Sequence, residues 1–262
     1  MKGLVVLMPV YNDQVDMIKT LDSIKEEDND FEVIIIDDGS VVPLTLSNNK
    51  YDFKVEIFRL VENKGITEAL NTGLDLISKR NDVKYVARLD AGDVQVGNRL
   101  SKQYTHMEKN KNIKMIGGNV TFFDTLGFPI FNTNLPLTNQ NIKREKYIRS
   151  CFIHPAVMFS KEIIDDGMRY SYDYPAAEDY EFFLRIIKSY HVENLTEILL
   201  LCHDRANGIS IKKRRTQVKS VLRCLIKHKE ISSIFWYLGI IKVLVQCFIP
   251  RSIFSLVKAR LS

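Results

Sequence analysis

Cysteine is scarce and scattered in this chain. The four residues, Cys151, Cys202, Cys224 and Cys247, form no Cys-x-x-Cys pair and no spacing suited to a metal ligand set. A disulfide framework and a zinc module are therefore disfavoured, and the scatter suits a reducing compartment. No Gly-rich loop with a basic end follows the first apolar run, which counts against a nucleotidyltransferase. No segment repeats, and no tract is of low complexity. The apolar opening, Gly3 to Val10, runs into Tyr11-Asn12-Asp13 and not into a small-residue cleavage site. It reads as a buried strand and not as a secretory leader. A clean membrane span is missing too, because the longest apolar stretch, Ile231 to Ile249, is broken by Lys242 and Gln246.

What is present is an ordinary globular composition. Hydrophobic residues make up 45% and charged residues 26% of the 262 positions, which disfavours disorder and collagen-like repeats. The net charge of +5 hides an asymmetry. Residues 205–262 hold 13 Lys and Arg against the single acid Glu230, a balance of +12, while the other 204 residues carry −7. A basic tail on an acidic body calls for an anionic partner. An anionic leaflet fits better than nucleic acid, since Trp236 and Tyr237 are the tail's only evident stacking platform.

The order of apolar runs predicts alternating strands and helices. Leu4 to Met8, Val33 to Ile36, Lys54 to Leu60 and Lys84 to Leu89 read as strands. Asn12 or Asp13 is placed to cap a helix that turns Val15, Ile18, Leu21 and Ile24 inward. Thr67 to Ser78 reads as a helix burying Ala69, Leu70, Gly73, Leu74 and Ile77. Such alternation predicts a mostly parallel α/β sheet. Further on, strands are expected over Lys114 to Phe123, Ala156 to Phe159 and Val192 to Leu201. Helices are expected over Lys143 to Arg149 and Glu178 to Ser189, the second with Phe182, Phe183, Ile186 and Ile187 inward. In parallel sheets ligands bind beyond the carboxyl ends of the strands. Pro9 to Asn12, Asp37 to Ser40 and Asp90 to Asp93 all fall at such ends.

Each of these segments has a structural and a chemical reading. Asp37-Asp38-Gly39-Ser40 is turn-rich, but Asp38 is also suited to accept from a base N–H or ribose hydroxyls, with Tyr11 stacking on the base. Asp90 and Asp93 fit a solvated loop or a helix cap. They also suit a hard divalent cation, which takes one or two carboxylates plus substrate phosphates. Glu178-Asp179 opens a helix, where acids offset the dipole, or it supplies a general base. His154, between apolar residues and before Pro155, reads as a structural hydrogen-bonder.

The ordered set resembles the inverting glycosyltransferases of family 2, which have the fold called GT-A. The resemblance is carried by Pro9-Val10-Tyr11-Asn12, Asp37-Asp38-Gly39-Ser40, Asn63-Lys64-Gly65, and Ala69 to Leu74. It continues through Ala87-Arg88-Leu89-Asp90-Ala91-Gly92-Asp93 with Arg99-Leu100 and Gln103, His154 to Phe159, and Glu178-Asp179-Tyr180. It implies that Tyr11 and Asp38 hold the nucleobase in a pocket shaped by Pro9, with Lys64 and Arg88 close to the donor. Asp90 would bind ribose or the metal shell, and Asp93 the metal–diphosphate, with Mn2+ or Mg2+ as cofactor. Asp179 would be the catalytic base beside Glu178, and His154 would lie on the acceptor side. His203 and Arg205 both qualify as the diphosphate contact. One departure stands out: the family commonly has Asp-x-Asp-Asp at the metal turn, and here the third position is Gly92. A non-catalytic nucleotide-sugar binder is the rival reading that Gly92 motivates.

The implied reaction moves a hexose from a UDP-sugar, or alternatively a dTDP-rhamnose-type donor, with inversion to a β-linkage. The implied acceptor is an undecaprenyl-diphosphate-linked saccharide in O-antigen or capsule assembly. Residues 1–204 are expected to form the GT-A catalytic domain, with 1–100 binding the nucleotide-sugar and 101–204 the acceptor. Residues 205–262 are expected to form a basic amphipathic helical extension. Ser232, Gly239, Lys242 and Gln246 share one helical stripe there, as in an in-plane anchor on the cytoplasmic face of the plasma membrane, with a helix packed on the catalytic core or a dimer contact as the alternatives.

Overall fold

Five fully buried positions in a row, Leu4 to Met8, leave the first strand no water-facing side. A strand of that kind must sit centrally, covered on both faces. In the computed structural model, which describes residues 1–47, 50–124, 126–203 and 213–248, it does. Strand β1 (Leu4–Val10) lies between β2 (Glu32–Asp37) and β4 (Tyr85–Arg88), and β3 (Lys54–Arg59) lies outside β2, all four parallel. Helices α1 (Gln14–Ser23) and α2 (Ile66–Ser78) are the crossovers. All five residues expected to turn inward from α2 are buried. On α1 the buried set is Met17, Thr20 and Leu21, and Val15, expected inward, is 78% exposed. The helix is rotated so that Thr20 reaches the acidic turn, where its Oγ1 accepts from Gly92 N at 2.8 Å.

Beyond β4 the sheet becomes mixed. The two-residue β5 (Val94–Gln95) and helix α3 (Arg99–Lys109) follow, then the long β6 (Ile113–Phe123) and its hairpin partner β7 (Pro129–Asn132). After α4 (Asn139–Glu145) comes a single 3-10 turn, His154–Ala156, and then β8 (Met158–Ser160), α5 (Glu162–Asp165), α6 (Glu178–Ser189) and β9 (His191–His203). The strand order is β3-β2-β1-β4-β8-β6-β9-β5, with β7 beside β6. Strand β8 joins the two halves, antiparallel to both β4 and β6. The result is an α/β fold with a largely parallel sheet flanked by helices, and apolar cores on both faces.

Helices α7 (Arg214–Lys227) and α8 (Ile234–Phe248) follow. They bury Cys224, Leu225 and Val243 against Tyr147, Tyr180 and Leu184. Glu181 of α6 ties to His228 at 3.2 Å, and Ser220 Oγ donates to Pro175 O at 2.9 Å. The tail helices are thus fastened to the helix that carries Glu178 and Asp179. Among the described residues no helix is long and apolar enough to cross a membrane.

Candidate active site

Parallel pairing aligns the carboxyl ends of β1, β2 and β4. Val10 sits opposite Asp37, and Asp38 N donates to Val10 O at 2.9 Å. Asp37 is structural: its carboxylate accepts from Ser40 N at 2.8 Å and Leu44 N at 3.4 Å. Asp38 points the other way and organises the loop before α2. It accepts from Asn63 Nδ2, Lys64 N and Gly65 N at 3.0, 2.9 and 2.9 Å. The α2 end is thereby held beside the end of β1. Between them opens a cavity of about 510 Å³ whose walls include Pro9, Tyr11, Asp38, Lys64, Tyr172 and Glu178. Tyr11 is 47% exposed there, with its ring available for stacking.

The acidic turn lies beyond β4. Arg88, the last residue of that strand, is fully buried. Its guanidinium donates to Leu7 O at 3.0 Å, Leu89 O at 2.9 Å and Asp90 Oδ1 at 2.5 Å, and Nε reaches His154 Nε2 at 3.3 Å. Arg88 therefore lies beneath the cleft, and its effect on a ligand passes through Asp90. His154 arrives by the pairing of β4 with β8, in which Arg88 N donates to Val157 O at 2.9 Å. Its ring is packed between Arg88 and Tyr170, whose hydroxyl lies 2.9 Å from Nε2. Burial, then the Arg88 charge, push the imidazole down to about 3, so it is neutral and accepts at Nε2. His154 is thus half-buried, held between Arg88 and Tyr170.

Asp93 is the second acid of the turn. Strands β5 and β9 pair antiparallel with Val94 opposite Leu201, which sets Cys202 across from Asp93, and the thiol hydrogen-bonds the carboxylate. Burial raises Asp93 to about 7, and the Asp90 charge adds to it. Two carboxylates that resist joint ionisation are a fit for a cation, which would relieve both. Among the described residues, no group of three or more His, Cys, Asp or Glu side chains forms a metal cage. The pair therefore offers at most a half-site that substrate phosphates would complete. His203 ends β9 one residue beyond Cys202, and Arg205 lies outside the described residues.

Glu178 and Asp179 open α6 on the far wall. Asp179 Oδ1 accepts from Tyr180 N at 2.7 Å. Burial, the Glu178 charge and more weakly the Asp90 charge raise Asp179 to about 6. Burial likewise raises Glu178. The field of Asp90 at Asp179, and of both at Tyr170, joins the acidic turn to this wall, while Glu178 lines the same cavity as Tyr11 and Asp38. The arrangement provides a base poised near neutral pH, a two-carboxylate cation half-site and an aromatic-walled pocket.

Sequence reasoning passed over Tyr170, Tyr172, Cys202 and Lys213. Lys213 enters the cavity from the start of the tail helices, and Cys202 reaches Asp93 through a pairing only two residues long. Neither leaves a motif.

The sequence profile described as Glycosyl transferase family 2 matches residues 5–168. The amylovoran biosynthesis glycosyltransferase AmsE of Erwinia amylovora is 29% identical over 217 residues, covering 80% of this chain and 79% of its own. The O-antigen biosynthesis glycosyltransferase WbnJ of Escherichia coli is 31% identical over 200 residues, covering 72% and 74%. Among solved structures, S. aureus TarS 1-349 in complex with UDP-GlcNAc aligns with a TM-score of 0.63 at 16% identity, over 93% of this chain and 72% of that one. Mannosyltransferase PcManGT from Pyrobaculum calidifontis, in complex with GDP-Man and Mn2+, aligns at 0.61 and 14%, over 94% and 69%.

Proposed function

The chain belongs to glycosyl transferase family 2 and is a glycosyltransferase, and on that premise we propose that it moves a hexose from a UDP-sugar to a lipid-linked saccharide with inversion. The observation that carries the proposal is Asp179, a carboxylate raised to about 6 beside Glu178, with the Asp90 charge adding weakly. In one displacement, Asp179 takes the proton of an acceptor hydroxyl while that oxygen bonds to the anomeric carbon. The bond from that carbon to the nucleoside diphosphate breaks, and the diphosphate leaves with the electron pair. Attack from the face opposite the leaving group turns an α-linked donor into a β-linked product. Asp38 and Tyr11 receive the uracil, and Pro9 and Lys64 wall the pocket. Asp90 and Asp93 would hold Mn2+ or Mg2+, which would offset charge on the leaving diphosphate.

The names of the two relatives support a place in bacterial surface-polysaccharide assembly. The acceptor is then an undecaprenyl-diphosphate-linked saccharide at the inner face of the plasma membrane. Residues 1–204 act as the catalytic part, and residues 205–262 attach it to anionic lipid. The test is to incubate the protein with UDP- and dTDP-sugars and Mn2+ or Mg2+, and to follow slow donor hydrolysis. Consumption of one UDP-sugar is expected. Nucleotide binding with no donor consumed would favour the non-catalytic reading that Gly92 motivates.

A further inference from the structure

Helix α8 is apolar on two sides: Trp236, Ile240 and Val243 pack on the protein, and a second apolar set faces outward. At Gly239 a Cβ would lie 2.2 Å from Tyr147 O, so only glycine permits this close approach. One turn on, Lys242 donates from Nζ to Ile148 O at 2.6 Å. Gly239 and Lys242, the small and the charged residue of the helix, thus both face protein. The outer face carries Ile234, Tyr237, Leu238, Ile241, Leu244 and Val245, each more than 40% exposed. Their spacing traces one continuous helical stripe. A helix bathed in water shows the reverse arrangement, and a contiguous patch of large apolar side chains marks an interaction surface. Ile231 and Ile226, 64% and 57% exposed, extend it toward α7.

We propose that this face lies flat in an anionic lipid monolayer, with α8 parallel to the membrane plane. The inference deepens the reading above, on which the C-terminal region meets the membrane, by naming the contact face and its orientation. Over its 15 described residues α8 extends about 22 Å, short of the roughly 30 Å of hydrocarbon that a span must cross. Charge selects lipid over a second copy of the chain. Exposed Lys227 and Lys229 flank the apolar stripe. Glu230, the only acid after Asp204, is turned inward to Lys146 Nζ at 2.9 Å and Tyr147 Oη at 2.8 Å. Two copies meeting here would oppose two basic segments, each with eight Lys and Arg against the one acid Glu230 over residues 213–248, whereas lipid phosphates neutralise them.

The test is sedimentation of the full chain with phosphatidylcholine vesicles, with and without phosphatidylglycerol. The wild type is expected to pellet with the anionic vesicles. The exposed triple change Ile234→Asn, Leu238→Asn, Ile241→Asn is expected to weaken that partitioning roughly a hundredfold, at about fivefold per half-inserted aliphatic. Lys227→Glu with Lys229→Glu is expected to weaken it at low salt and much less at high salt. The proposal is overturned if the wild type ignores anionic vesicles, or if the triple variant binds them as well as the wild type does. A concentration-dependent dimer abolished by the triple change would assign the face to a second copy instead. Donor hydrolysis without vesicles separates the two ideas. Vesicle binding with no donor turnover sinks only the transferase chemistry, and turnover with no vesicle binding sinks only the lipid face.

Discussion

Asp179→Asn is expected to make the protein more stable and nearly inactive at once. The carboxyl is raised from 3.8 to about 6, by burial first and then by Glu178. As a base it must be ionised, so activity rises with pH through this value. About nine-tenths of it is ionised at pH 7 and just under one-tenth at pH 5, so turnover falls about tenfold between them. Asparagine removes the base, costs ~100- to 10,000-fold in kcat and erases that acid limb. Stability moves the opposite way. The folded chain holds this proton more tightly than the unfolded chain, so Asp179 favours the fold at pH values below its unfolded pKa. That contribution is lost as pH rises through about 6. A shift from 3.8 to about 6 sets an upper bound of about 3 kcal/mol at pH 8, roughly twice the value at pH 5. Solvent at the partly exposed face lowers it. The amide keeps an Oδ1 to accept from Tyr180 N, so the variant retains that bond. Donor turnover across pH 5–8 and urea unfolding at pH 5 and pH 8, without metal, measure both effects. Near wild-type turnover, or no gain in stability at pH 8, refutes the assignment.

Three further outcomes are expected. Mn2+ affinity should fall about tenfold per pH unit below about 7, because Asp93 must lose its proton to bind metal; Mn2+ paramagnetic resonance at pH 6 and pH 8 tests this, and a flat profile contradicts it. Tyr11→Ala, which removes an exposed ring of the cavity, should weaken UDP binding by ~1–3 kcal/mol in calorimetry, and unchanged affinity would place the base elsewhere. Gly39→Ala meets Glu62 C at 2.3 Å at a φ of +67°, so it should displace the loop held by Asp38, cost ~1–3 kcal/mol and weaken UDP binding; an unaltered melting temperature would contradict this.

Local patterns made the nucleotide half of the fold legible. The unbroken apolar runs of β1 and β2 and the 3.6-residue spacing of α2 each fix one element. The chain reverses after them at turn-rich acids, so the placement of Asp38 and Asp90 followed from the strand ends alone. The rotation of α1 did not follow, because Thr20 is buried for its bond to the acidic turn and apolarity gives no hint of that. The mixed half was harder. Strand β5 is two residues long, too short to show a period. Its pairing with β9, which delivers Cys202 to Asp93, is a long-range contact. Arg88 and His154 carry motifs, but their burial depends on β8 crossing between the halves. The outward face of α8 was also hidden, since periodicity reveals a stripe and not which side packs.

Gly92 is better explained by the backbone than by a lost function. Asp93 N donates to Asp90 O at 3.2 Å, closing a four-residue turn with Gly92 third at a φ of +94°. A type II turn needs positive φ at that place, and a side chain there is strained. Glycine allows the tight turn that Thr20 clamps through Gly92 N. The same turn delivers Asp90 to Arg88 and Asp93 to Cys202. The charge balance argues in the same direction. Asp93 already ionises only near 7, partly because Asp90 stands beside it. Beneath the pair lie two guanidiniums, Arg88 and Arg99, both fully buried, and Arg99 is itself pushed down to about 10 by burial. A third carboxylate would add repulsion to a pair that does not yet share its charge comfortably. Two acids over two buried cations balance in formal charge, and Gly92 leaves that balance undisturbed.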